Sequence, residues 1–97
     1  MSDDGHAPAH ALALREDAVD WRLVGDEVIA IERESSTYLA ANATGSELWQ
    51  RLAAGTTLRE LVDLIVSRHG ISTTRARADV ERFLMMLDER GILVRAA

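Results

Sequence analysis

The chain has no cysteine and no lysine, a single proline, and four aromatic residues among ninety-seven: Trp21, Tyr38, Trp49 and Phe83. Without cysteine there is no disulfide, no thiolate metal site and no thiol nucleophile, a composition that fits a reducing compartment. So few aromatics leave Leu, Val, Ile and Ala to fill the core, and at 47% hydrophobic residues there are enough of them for one. A basic excess is also missing. The net charge is −5, whereas phosphate binding needs a concentrated positive face, so nucleic acid is not an expected partner. All eleven basic residues are arginine, which suits bidentate carboxylate contacts, although coding bias in a GC-rich genome is the better explanation.

No stretch reaches the roughly 20 apolar residues of a membrane span. The opening MSDDGHAPAHALALRED places acid where a signal peptide carries base. The expectation is a cytoplasmic protein with no membrane partner. A catalytic constellation is lacking as well. No serine or histidine sits in a nucleophile motif, no glycine loop cradles a phosphate, and no helix carries a metal-ligand spacing. The expectation is a non-enzyme with no cofactor and no metal. His6 and His10 are four apart, but Pro8 between them disfavours a helix and no third ligand accompanies them.

What is present reads as one domain, residues 18–97, behind a flexible N-terminal arm, residues 1–17, that lays Leu12 and Leu14 on it. Residues 19–24 alternate as a strand, with Val19, Trp21 and Leu23 set against Asp20, Arg22 and Val24. Gly25-Asp26 then predicts a type II′ hairpin into residues 27–32, pairing Trp21 with Ala30 and Leu23 with Val28. The opposite face is mixed, with Val24, Ile29 and Ile31 among charges, and calls for cover by the arm or a partner. Residues 37–41 form a third strand, which leaves an open edge, a template for pairing with another chain. Its small residues Ala40 and Ala41 leave room beside that edge, although alanines packed under a helix fit the pattern equally well.

Three helices follow. Thr44-Gly-Ser-Glu47 reads as a capping box ahead of Leu48, Trp49 and Leu52. Thr57-Leu-Arg-Glu60 is a second box, ahead of Leu61, Val62, Ile65 and Val66, with a stop at His69-Gly70. Ser72 caps a third helix with core stripe Ala76, Val80, Phe83, Leu84 and Leu87. One flank of that stripe carries Arg75, Asp79, Arg82 and Met86; the other carries Arg77, Glu81, Met85 and Asp88. Met85 and Met86 cannot both turn inward. The fold class is α+β: a three-stranded antiparallel sheet followed by three helices, winged-helix-like. Such an order also admits a winged-helix DNA-binding regulator reading with its third helix. That helix balances Arg75, Arg77, Arg82 and Arg90 against Asp79, Glu81, Asp88 and Glu89, which disfavours the alternative.

The run Tyr38-Leu-Ala-Ala-Asn42-Ala-Thr44-Gly45 with Leu48-Trp49 and Leu52 resembles the pyrroloquinoline quinone synthesis protein D family. So do Thr57-Leu58, Leu61-Val62, Asp79-Val80, Phe83-Leu84, Leu87 and Arg90-Gly91-Ile92-Leu93. The resemblance spans residues 19–94, carried by an ordered set of positions rather than by one motif. It implies a non-catalytic recognition element for ribosomally made, post-translationally modified peptides. Such an element captures the leader segment of a precursor peptide as an added strand, between the third β-strand and the third helix. Its partners would be that leader and a separate maturation enzyme, either a lasso-peptide leader peptidase or a radical S-adenosylmethionine enzyme. Carried over, the binding residues would be Thr37, Tyr38, Leu39, Ala40 and Ala41 on the strand, with Arg75, Asp79, Arg82, Phe83 and Met86 on the helix. Ala41 departs from the leucine many relatives carry there, so leader preference does not transfer. On this reading, proline at Ala41 is the substitution expected to remove an edge-strand N–H.

Overall fold

The computed structural model describes residues 11–95. Strand β1 is Ala11–Leu14, and a 3-10 turn over Glu16–Ala18 leads into β2, Val19–Val24. Gly25 takes a φ of +65°, and Asp26 is not among the positive-φ residues, which is the type II′ pattern expected from the sequence. Strand β3, Glu27–Glu32, returns along β2 in the predicted register, Trp21 opposite Ala30 and Leu23 opposite Val28. A turn over residues 33–37 then leads to β4, Tyr38–Ala41, which pairs antiparallel with β3 from Ile31↔Tyr38 to Val28↔Ala41. The sheet order is β2-β3-β4, so β2 and β4 are its two edges.

Helix α1, Ala43–Ala54, begins one residue beyond β4. Its cap differs from the one expected. The side chain of Asn42, not Thr44, accepts the Gly45 N–H at 2.9 Å. The physical reason is position: Asn42 is the last extended residue, where a cap belongs, and Thr44 already lies inside the first turn. The second box forms as read. Thr57 Oγ1 accepts the Glu60 N–H, and Glu60 Oε1 reaches back to the Thr57 N–H, opening α2, Leu58–His69. Ser72 caps α3, Thr73–Glu89, through the Arg75 N–H.

A second small sheet was not anticipated. Thr56–Thr57 (β5), β1 and Leu93–Arg95 (β6) pair in the order β5-β1-β6. Residues 11–14, read from composition as part of an arm, are therefore a central strand with Leu12 and Leu14 buried in the core. Four alternating residues after a polar tail carry too little pattern to signal this. His6 and His10 lie outside the described residues. The main core joins Val28, Ala30, Leu48, Trp49, Leu52, Leu61, Ile65, Val80, Leu84, Leu87 and Ile92. At roughly 1.5–3 kcal/mol for each fully buried large aliphatic side chain, this cluster is the main stabilising element of the fold. No helix among the described residues is long and apolar enough to cross a membrane.

Candidate functional site

Antiparallel ladders alternate, so one backbone bond sets which groups point where. The Glu32 N–H donates to the Thr37 carbonyl at 2.9 Å, and the Arg33 N–H donates to the Ala18 carbonyl at 3.0 Å. Even-numbered residues of β3 therefore face β4 and odd-numbered ones face β2. On β4, Leu39 and Ala41 turn their backbone groups inward to Ala30 and Val28. Tyr38 and Ala40 turn theirs outward, to an edge that no other strand among the described residues occupies. This corrects the substitution expected from sequence: the Ala41 N–H faces β3, and the outward donors belong to Tyr38 and Ala40.

The far end of β4 is held by a residue the sequence reading used only inside a capping box. Ser46, fully buried, accepts the Val28 N–H at 2.7 Å and donates to the Ala41 carbonyl at 3.0 Å. Its hydroxyl thus bridges the β3–β4 pair where α1 begins.

Helix α3 runs beside this strand in the opposite direction. A side chain at Gly45 would meet Ala41 Cβ at 3.2 Å and Phe83 Cε1 at 3.4 Å, so Phe83 sits at the Ala41 end. Arg90 Nη1 donates to Glu32 Oε2 at 2.6 Å, which ties the other end of α3 to the start of β4, since Glu32 bonds Thr37. Asp79, Phe83, Met86 and Arg90 follow one helical stripe between these two points. Phe83 and Met86 are half-buried against the core, as are Leu39 and Ala41 on the strand. The other flank, with Arg77, Glu81, Met85 and Asp88, lines a different hollow with Leu12 and Arg95. Met85 is the methionine left near solvent, at 59% exposed.

Beyond Ala41 the strand edge opens into a cleft of about 410 Å³. Leu48, Ile65, Ile71 and Phe83 give it apolar walls; Asn42, Thr44, His69, Arg75 and Asp79 add polar groups. Thr44 Oγ1 and His69 Nε2 are 3.2 Å apart across it. Of the residues named from sequence, Arg75, Asp79 and Phe83 meet here, and Met86 lies one turn along. Arg82 is turned outward and held by Asp79 at 3.3 Å. Thr37 lies just ahead of β4, its carbonyl already used by Glu32. Sequence reasoning missed Asn42, Thr44, His69 and Ile71 as lining residues. Their signals were helix-end signals, and only the packing of three helix termini brings them together.

Three of the four arginines on α3 and its cap are paired with carboxylates: Arg77 with Glu81, Arg82 with Asp79 and Arg90 with Glu32. A helix so neutralised offers little to a phosphate backbone, and the DNA-binding alternative is not supported. Among the described residues, no group of three or more His, Cys, Asp or Glu is placed to hold a metal ion.

A winged-helix-like α+β domain with a bare strand edge beside a helix is the class that this fold and site define. The chain belongs to the family described as Coenzyme PQQ synthesis protein D (PqqD), which matches residues 27–93. Two solved structures are similar. TbiB1 in complex with the TbiA(beta) leader peptide is 30% identical with a TM-score of 0.76, over 84% of this chain and 94% of that one. Lasso peptide synthetase B1 complexed with the leader peptide is 20% identical with a TM-score of 0.75, over 86% of this chain and 96% of that one. No curated protein matches.

Proposed function

We propose that this protein is a non-catalytic recognition element that binds the leader segment of a ribosomally made precursor peptide as an added strand on β4. It then presents that peptide to a separate leader peptidase of the lasso-peptide type. The observation that carries the reading is the pair of outward-turned residues, Tyr38 and Ala40, facing an edge beside α3 that no other strand among the described residues occupies. The relative at 30% identity is described as a complex with a leader peptide, and the match covers 84% of this chain.

Each element of the groove has a role. Tyr38 and Ala40 supply two N–H donors and two carbonyl acceptors to an incoming strand. Leu39, Ala41, Phe83 and Met86 receive its inward side chains. The cleft beyond Ala41, with Arg75 and Asp79 at its rim, takes a residue flanking the strand. Arg75 gives a charge-assisted bond to an acidic leader residue, whereas Arg82, turned outward and paired with Asp79, stays outside the groove. Thr37 contributes only side-chain contact, because its carbonyl is spent within the sheet.

Calorimetric titration with the leader of the precursor peptide encoded beside this chain tests the reading. Saturable binding that falls about tenfold in Ala40→Pro, one backbone hydrogen bond, is expected. Undiminished binding in a folded Ala40→Pro variant rules out strand addition.

A further inference from the structure

The sheet has a second open edge. Ladder alternation turns the backbone groups of Val19, Trp21 and Leu23 outward from β2, and among the described residues no strand pairs with them. This strand is six residues long and carries neither proline nor lysine, the usual protections of an edge. Three of the large exposed hydrophobic residues lie within it: Trp21 at 38%, Leu23 at 45% and Val24 at 55%. The ring of Trp21 is oriented in advance, standing edge-on to buried Trp49 with centroids 6.1 Å apart and planes at 67°. A hollow beside it is lined by Leu14, Glu16, Val19, Asp20, Trp21 and Ala53.

Charge selects among occupants. Between Glu16 and Glu27 the chain carries five carboxylates, at Glu16, Asp17, Asp20, Asp26 and Glu27, against one arginine, Arg22. Asp20 shares its carboxylate with Arg33 from the turn after β3. A second copy of the same edge would set these carboxylates against each other, which disfavours self-pairing. An extended segment with apolar residues and arginine or lysine at its rim fits both features. Its basic side chain would lay an aliphatic stem on Leu14 and Val19 and its charge near Glu16 and the face of Trp21.

We propose that the β2 edge is the docking site for the maturation enzyme, which adds a basic, apolar strand there while the leader occupies β4 on the opposite side of the sheet. This rests on the reading under Proposed function for the enzyme's identity. One sheet would then hold peptide and enzyme on its two edges without competition.

The test uses the full chain and the purified leader peptidase encoded beside it. Affinity for peptidase and for leader is measured on the same samples, for wild type, Leu23→Pro and the pair Asp26→Lys/Glu27→Lys. Leu23→Pro removes one outward N–H and an exposed side chain. Circular dichroism confirms that each variant folds. Expected are salt-sensitive peptidase binding, a loss of at least tenfold in Leu23→Pro, a flattened salt dependence in the charge variant, and leader affinity within twofold of wild type throughout. The proposal is overturned by absent peptidase binding, by binding unchanged in Leu23→Pro, or by a leader affinity that falls in parallel. A wild-type dimer that Leu23→Pro converts to monomer assigns the edge to a second copy and overturns it too. Peptidase binding that depends on Leu23 in a chain that ignores the leader upholds this site and rejects the leader reading.

Discussion

At the scale of single residues, Ser46 matters more than its place in a helix suggests. Its buried hydroxyl joins the Val28 N–H to the Ala41 carbonyl, so Ser46→Ala leaves two polar groups facing each other across a gap. The expected loss is about 1–3 kcal/mol. Urea denaturation checks it, and a variant as stable as wild type would show that the ladder closes without the hydroxyl. Asn42→Ala removes a cap and costs about 1 kcal/mol, whereas Thr44→Ala leaves the helix start intact. Asp20 supplies a pH prediction. Hydrogen bonds from Arg33 hold its carboxyl below the ordinary 3.8. A depressed carboxylate favours the fold above that ordinary value and loses the contribution as pH falls through the lower, folded one. Because both side chains are well exposed, the effect on stability is small. In Arg33→Ala the Asp20 titration seen by NMR should rise back to the ordinary range; an unmoved titration means the pair does not form in solution.

At the scale of elements, the distinction between β4 residues is the sharpest consequence of the ladder. Ala40→Pro removes an outward donor and leaves the sheet intact, while Ala41→Pro strikes a residue turned toward β3 and lowers stability. The helix behaves the same way. Met86→Ala and Phe83→Ala, on the stripe beside β4, should weaken leader binding, and Met85→Ala, on the other flank, should not. Equal losses from Met85 and Met86 would show that the groove wall is drawn on the wrong flank.

Much of this level is legible in the sequence alone. Alternation in residues 19–32, the Gly25-Asp26 turn, the Thr57–Glu60 box and the α3 stripe are local patterns, and local patterns survive folding. The site itself was half legible. Its strand and helix could be named from family spacing, but the choice between Ala40 and Ala41 depends on the ladder phase set by the Glu32–Thr37 hydrogen bond, which turn composition does not fix. The cleft of Asn42, Thr44, His69 and Ile71 depends on three helix ends meeting. Strand β1 was hidden because its partners, β5 and β6, lie more than forty residues away.

At the scale of the whole molecule, the domain is a scaffold for a three-stranded sheet whose two edges pair with no other strand among the described residues. Helices α1 to α3 and the small sheet bury the core on one side. The edges differ in chemistry: β4 faces a helix wall and a cleft, and β2 stands in a rim of carboxylates. An acidic protein with neutralised helix arginines is suited to peptide and protein partners rather than to nucleic acid.

The most direct measurement is amide hydrogen exchange with and without the leader. If the leader adds to β4, the Tyr38 and Ala40 amides exchange quickly in the free chain and become protected on binding, while Leu39 and Ala41 are protected in both states. Protection that appears instead on Trp21 and Leu23, or nowhere on β4, contradicts the account.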